Sequence, residues 1–345
     1  MRSMFSSFRL RIVIYLMIFF VGVLAIFLIR LSKNSSKFDS VKFDSAEKTL
    51  ERYKLLAEKS PSDALQTLRK DSAHVPEINA MCHRVSHEIG RISMKQAKNF
   101  KEAISQQDSF CNSGYLHGVI EEFLSHQTIT TDTLQKTCPV DSEFSFYDWE
   151  CWHGIGHGIM YSNDNDVKGA LDVCEDQKND SAKSACSNGV FMELFSQEQT
   201  EKNPDINPLS VCSQQLPELK SDCYLYAPAS YLSIHKNMYK EAFTWCKTAE
   251  KEYIKACIQG VGAEVIKTHL DDIKFVDQTC RSSDDYSSCI TGVASYSYFH
   301  FGSSRPVGYI CLQLSKEGSK ICSSLKNQMA SQFPDKEYKT TEKQP

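Results

Sequence analysis

From Ile12 to Ile29 the chain is apolar for 18 residues without a charge, and no other stretch repeats this. At ~1.5 Å of rise per residue the run spans roughly 27 Å of helix, enough to cross a bilayer core. It predicts a transmembrane helix over 12–29, with residues 1–11 on the cytoplasmic side. Beyond it the rhythm changes. Leu31 to Ser45 is polar and rich in serine and lysine, as suits a tether. From 46 to 332, short amphipathic segments alternate with longer, largely apolar ones at helical spacing. That alternation predicts an all-α fold, a row of helix-turn-helix units. The charged segment 334–345 lacks periodicity and reads as a frayed tail.

The cysteines sharpen this picture. Counting from Cys111, those at 151, 186, 223, 257, 289 and 322 follow at intervals of 32 to 40 residues, the period of a helical-hairpin solenoid. A second cysteine precedes each: Cys138 before Cys151, Cys174 before Cys186, Cys212 before Cys223, Cys246 before Cys257, Cys280 before Cys289 and Cys311 before Cys322. Each such pair is expected to form a disulfide, which leaves Cys82 to pair with Cys111. One staple around a loop of about ten residues contributes on the order of 2–3 kcal/mol in the loop-entropy account. Fourteen cysteines used this way imply an oxidising compartment. Arg2, Arg9 and Arg11 on one side of the apolar run are matched by Arg30, Lys33 and Lys37 on the other, so charge alone leaves orientation open. The cysteines decide it: the body is expected to be extracytoplasmic, on an uncleaved single-pass anchor, since no small-x-small cleavage site follows the run.

The short segments resemble one another. Val167 to Cys174 reads V-K-G-A-L-D-V-C and Tyr239 to Cys246 reads Y-K-E-A-F-T-W-C, while Phe100 to Gln107 keeps the register with a glutamine in place of the cysteine. At the level of architecture this resembles the disulfide-stapled Sel1-like and tetratricopeptide α-solenoids. The resemblance implies stacked helical hairpins over about 46–332, without the glycine and tyrosine signature of those repeats.

Chemistry concentrates near the start of the row. Histidines follow three consecutive cysteines at helix spacing: C-H-R-V-S-H from Cys82, C-N-S-G-Y-L-H from Cys111 and C-W-H-G-I-G-H from Cys151. Numbered from the cysteine, His153 stands at +2, His117 and His157 at +6 and Glu121 at +10, so they share a helical face. His83 and His87 form a further i, i+4 pair, one position out of that register. Imidazole is the commonest ligand for zinc, copper or iron, and the five residues His83, His87, His117, His153 and His157 are the expected metal ligands. Glu121 and Glu193, the latter at +7 on an apolar helix, are the expected catalytic carboxylates; Glu193 is also open to a role as a ligand, as a hydrogen-bond partner behind a ligand, or as a structural bond to a neighbouring helix. Downstream, the +2 and +6 positions hold Asn188 and Met192, Leu225 and Ala229, Gln259 and Ala263, Thr291 and Ser295, so the cluster is local. Glycines at +3 in most repeats mark tight helix packing. Gly118, Gly156 and Gly158 call for a further reason: a neighbouring backbone, a ligand or an ion.

Several classes are set aside. A net charge of -4 gives no footprint for nucleic acid, and there is no P-loop, nucleophile elbow, H-E-x-x-H or paired E-x-x-H. Mixed thiolate ligation is rejected because the cysteines have partners. The expected function is a membrane-anchored helical protein binding one or two transition-metal ions, with a metal-dependent hydrolase or oxidoreductase acting on a small molecule or peptide as the enzymatic form of that reading. The alternatives are a non-catalytic metal carrier or sensor, and a scaffold binding partner proteins on a concave face bearing Tyr224, Tyr226, Tyr231, Tyr296 and Phe299.

Overall fold

The computed structural model describes residues 43–107, 109–140 and 144–333. The expected anchor over 12–29, the segment 1–11, the tether up to residue 42 and the tail over 334–345 lie outside the described residues. Among those that are described, no helix is long and apolar enough to cross a membrane.

Eight long helices carry the row: α3 (Pro76–Gln96), α5 (Gly114–Leu124), α7 (Phe146–Ser162), α9 (Asp180–Leu194), α12 (Pro217–Ile234), α14 (Ile254–Thr268), α16 (Tyr286–Phe301) and α18 (Lys316–Gln332). Short helices stand between them: α4 (Phe100–Ala103), α6 (Thr131–Thr137), α8 (Val167–Glu175), α10 (Gln197–Lys202), α11 (Pro208–Ser213), α13 (Tyr239–Cys246), α15 (Ile273–Cys280) and α17 (Ser304–Gln313). Two further helices, α1 (Ala46–Lys59) and α2 (Pro61–Ser72), precede the row and pack on α3. No strand occurs among the described residues.

Local chemistry sets the boundaries. Ser45, Ser60, Asn99, Thr130, Asn179, Asn207, Asp285 and Ser315 each accept a backbone N–H of the first helical turn, a cap that contributes about 1 kcal/mol. At α7, Ser145 and Asp148 cap each other's backbone in a capping box. The likeness among the short segments has a packing cause. Ala170, Leu171 and Cys174 of α8 are buried, and so are Ala242, Phe243 and Cys246 of α13. The same three offsets bury one narrow face against the long helix.

All seven disulfides form between the cysteines that spacing pairs: 82–111, 138–151, 174–186, 212–223, 246–257, 280–289 and 311–322. None of the fourteen remains as a free thiol, so thiolate ligation is absent. Every long helix except α5 starts before its cysteine rather than at it; α12 begins at Pro217, ahead of Cys223, whereas α5 begins at Gly114, after Cys111.

Neighbouring long helices cross through glycine. A Cβ on Gly118 would overlap the carbonyl oxygen of His87, and one on Gly90 the carbonyl of Tyr115. The crossing of α7 and α9 repeats this with Gly189 on His153 and Gly156 on Cys186, and that of α14 and α16 with Gly292 on Gln259 and Gly262 on Cys289. Gly118 and Gly156 thus answer to backbone approach, and Gly158 to the side chains of Leu124 and Ile120.

The row also curls. Helix α14 touches α3, Ser109 Oγ donates to the carbonyl of Phe301 at 3.2 Å, and Phe299 packs on Phe146 and Trp149 with ring centroids 5.8 and 5.9 Å apart. Two of the five aromatics on the expected concave face take part in packing: Phe299 in this way, and Tyr224 by burial against Tyr253 with its hydroxyl donating to Glu250.

Candidate metal centre

Four consecutive long helices bring the candidate residues together: α3 supplies His83 and His87, α5 supplies His117 and Glu121, α7 supplies His153 and His157, and α9 supplies Glu193. Ten of the eleven residues of α5 are buried, as befits an interior helix with neighbours on every side. The five imidazoles form one cluster. His117 lies 5.5, 5.4, 5.1 and 5.2 Å, centroid to centroid, from His83, His87, His153 and His157. One ligand atom from each of His83, His87, His117 and His157 falls within 4.8 Å of the others, and Glu121, His157 and Glu193 form a second such group. These groups could hold a metal ion.

Hydrogen-bond partners assign the ring protons. His83 Nδ1 is 2.7 Å from the carbonyl of Cys111, which can only accept, so Nδ1 carries the hydrogen. That carbonyl is aimed by an unusual turn: Cys111, Asn112 and Ser113 are all left-handed, with φ of 55, 52 and 52°. His87 Nδ1 is 2.7 Å from Glu121 Oε1, while Arg91 holds Glu121 Oε2 at 2.5 Å. His157 Nδ1 is 3.1 Å from Glu193 Oε2. His117 reverses the pattern: Nε2 donates to the carbonyl of Glu150 at 3.1 Å, and Nδ1 is buried with no hydrogen-bond partner.

Four bare lone pairs therefore face inward: Nε2 of His83, His87 and His157, and Nδ1 of His117. Between the first two, the nitrogens stand 2.9 Å apart. Two acceptors that close repel each other unless a cation lies between them. A proton is a poor candidate, because burial, followed by the neighbouring imidazoles, holds His83 and His87 well below their usual pKa; burial does the same to His117 and His153. Nitrogens sharing a tetrahedral zinc at about 2.0–2.1 Å would sit roughly 3.3 Å apart. The two i, i+4 pairs, at 2.9 and 3.2 Å, lie just inside that edge.

Glu121, expected as a catalytic carboxylate, is buried, with Oε1 against His87 Nδ1 and Oε2 against Arg91. Glu193 is partly exposed, with its second oxygen 3.4 Å from Gln199 Nε2. His83 alone of the four is not fully buried. The other histidines stay apart: His126 on Glu122, His235 on the Tyr231 carbonyl, His269 on that of Val265 and His300 beside Tyr296; His74 lies on the Lys70 carbonyl.

Glycine contacts correct the register inferred from cysteines. Gly118 grips His87 as Gly189 grips His153, so His87 is level with His153, and Arg91 with His157. The crossing glycine stands eight residues after Cys82 but five after Cys151, a slip of three positions rather than one. Three residues of the site went unnoticed in the sequence. Arg91 continues the i, i+4 series of His83 and His87. Glu150, whose burial pushes its carboxyl up to about 8, lies with Oε2 3.4 Å from His117 Nε2. Met192 approaches His153, and in the sequence it is only an apolar filler at +6.

Compared with family models, curated proteins and solved structures, the chain matches none of them. The Sel1-like and tetratricopeptide resemblance thus gains nothing beyond the repeated helical hairpin.

Proposed function

We propose that this protein binds one or two transition-metal ions among His83, His87, His117, His153 and His157, and that it does so on the outer side of a membrane to which 12–29 anchors it. The observation that carries this is the confrontation of His83 Nε2 and His87 Nε2 at 2.9 Å, each ring having given its only hydrogen to an acceptor behind it. Carboxylates behind metal-binding imidazoles fix the tautomer and raise the basicity of the ligand nitrogen; Glu121 and Glu193 take that part. The half-buried side at His83 leaves a coordination position for a small molecule, a peptide group or water. A bound ion there supplies Lewis acidity. This favours a metal-dependent enzyme, with a carrier as the runner-up, over a closed structural site.

Metal analysis of the full chain, purified without a histidine tag, tests the reading. We expect about one to two ions per chain, falling below ~0.5 in His87→Ala plus His157→Ala with the helical circular dichroism retained. Wild-type protein that stays below that level after incubation with zinc, copper and iron salts overturns it.

A further inference from the structure

We infer that the centre contains a second, softer metal position formed by His153, His157 and the thioether of Met192, and that this position selects copper(I). The inference rests on the metal-binding reading above and adds to it a ligand and a metal identity.

Met192 lies on α9, one residue before Glu193. Its Sδ is 3.3 Å from His153 Nε2, and the same nitrogen is 3.2 Å from His157 Nε2. The sulfur meets the ring at Nε2 itself, the atom through which an imidazole ligates. The second imidazole and the thioether thus both meet His153 Nε2, while His83, His87 and His117 remain for the first position and His157, grouped with those three, borders both.

The glycine register shows what is particular here. His87 and His153 are level, and so are Glu121 and Met192, three residues beyond the crossing glycines Gly118 and Gly189. In one half a hard, anionic oxygen faces the imidazole; in the other, a soft and neutral sulfur does. Thioether and imidazole favour copper(I), whereas zinc, magnesium and calcium gain nothing from a thioether. Charge points the same way. His153 and His157 are buried, Glu193 is the carboxylate on this side, and Glu121 is already matched by Arg91. A monovalent ion is easier to hold in that balance than a divalent one.

The test uses the full chain, freed of metal, and copper(I) kept reduced by ascorbate rather than a thiol so that the disulfides survive. X-ray absorption at the copper edge is expected to show a sulfur scatterer beside imidazole nitrogens. With every cysteine in a disulfide, a thiolate is not its source. Met192→Leu, close in volume, is expected to remove that scatterer and to weaken copper(I) binding at least about 10-fold in competition with a chromophoric chelator, leaving zinc(II) affinity unchanged. Copper bound by nitrogen alone in the wild-type protein, or equal copper(I) affinity in both forms, overturns the inference while the first position stands. Failure to bind copper(I) and zinc(II) alike removes both.

Discussion

The helices α3 to α9 and the helices α14 to α16 are joined by one crossing device and used in two ways. In both, a glycine on each partner admits the other's carbonyl: Gly90 with Gly118, Gly156 with Gly189, Gly262 with Gly292. In the early part the positions beside those glycines hold His87, His153, His157, Met192 and Glu193. In the later part the equivalent positions hold Gln259, Ala263, Ser295 and Tyr296. The frame is common, and the chemistry is written on side chains the frame does not consume. A helix crossing that spends only glycine on contact leaves its inward positions free to vary.

The comparison breaks first if the frame is not shared. Gly118→Ala and Gly292→Ala each drive a methyl into a backbone carbonyl and should each cost about 3 kcal/mol or more in urea unfolding. Only the first should also empty the metal site. Tolerance of Gly292→Ala would mean that the later crossing is a different kind of contact.

Removing one staple from each region comes next. Cys174→Ser with Cys186→Ser, and Cys246→Ser with Cys257→Ser, should each lower stability by about 2–3 kcal/mol. The first pair frees the start of α9, which carries Met192 and Glu193, so only there should metal affinity fall as well, by isothermal titration.

A carboxylate exchange sharpens the contrast without disturbing the frame. Glu121→Gln keeps the shape but offers His87 an amide, and metal affinity should drop about 10–100-fold. Glu264→Gln, whose carboxylate pairs with Lys267 in the later region, should leave it unchanged.

The gentlest probe is pH on metal-free protein. His83, His87, His117 and His153 all have folded pKa values depressed by burial, so the unfolded chain takes up their protons first as pH falls below about 6.5. Stability should therefore decline below that point, by on the order of 1 kcal/mol per pH unit for each excess proton. Glu150, held protonated up to about 8, acts with the opposite sign but for one proton against as many as four. In the later region His300, lowered to about 4 by burial, contributes a single proton. Hydrogen exchange at pH 5.5 should thus open α3 to α9 before α14 to α16. Metal should abolish the difference.

Much of this was legible in the chain. Cysteine spacing paired twelve of the fourteen, because a short loop between helix end and helix start leaves each of those thiols one partner within reach, and elimination paired Cys82 with Cys111 across 29 residues. The five imidazoles were found because His117, His153 and His157 share a helical-face register counted from those cysteines and His83 and His87 form an i, i+4 pair beside Cys82. What stayed hidden has a common cause: cysteines report the outer junction, whereas the inner face is indexed by glycine. Cys82 sits within α3 and Cys111 in a left-handed turn ahead of α5, so the two markers drift apart there. That drift concealed the alignment of His87 with His153, and with it the standing of Met192 opposite Glu121. Glu150 carried no pattern at all; only depth distinguishes it. The curl of the row, set by contacts between Phe146 and Phe299 or Ser109 and Phe301, joins residues more than 150 positions apart and has no local signature.

Because glycines clasp the main chain at His87 and His153 directly, the spacing between the ligand-bearing turns is set by backbone pressed on backbone rather than by the fit of deformable side chains. An arriving ion has no slack to take up in the helices and must be met by torsion of the rings alone. Filled and empty forms should superimpose along the backbone, and a redox-active occupant would pass between oxidation states with little reorganisation of its cage.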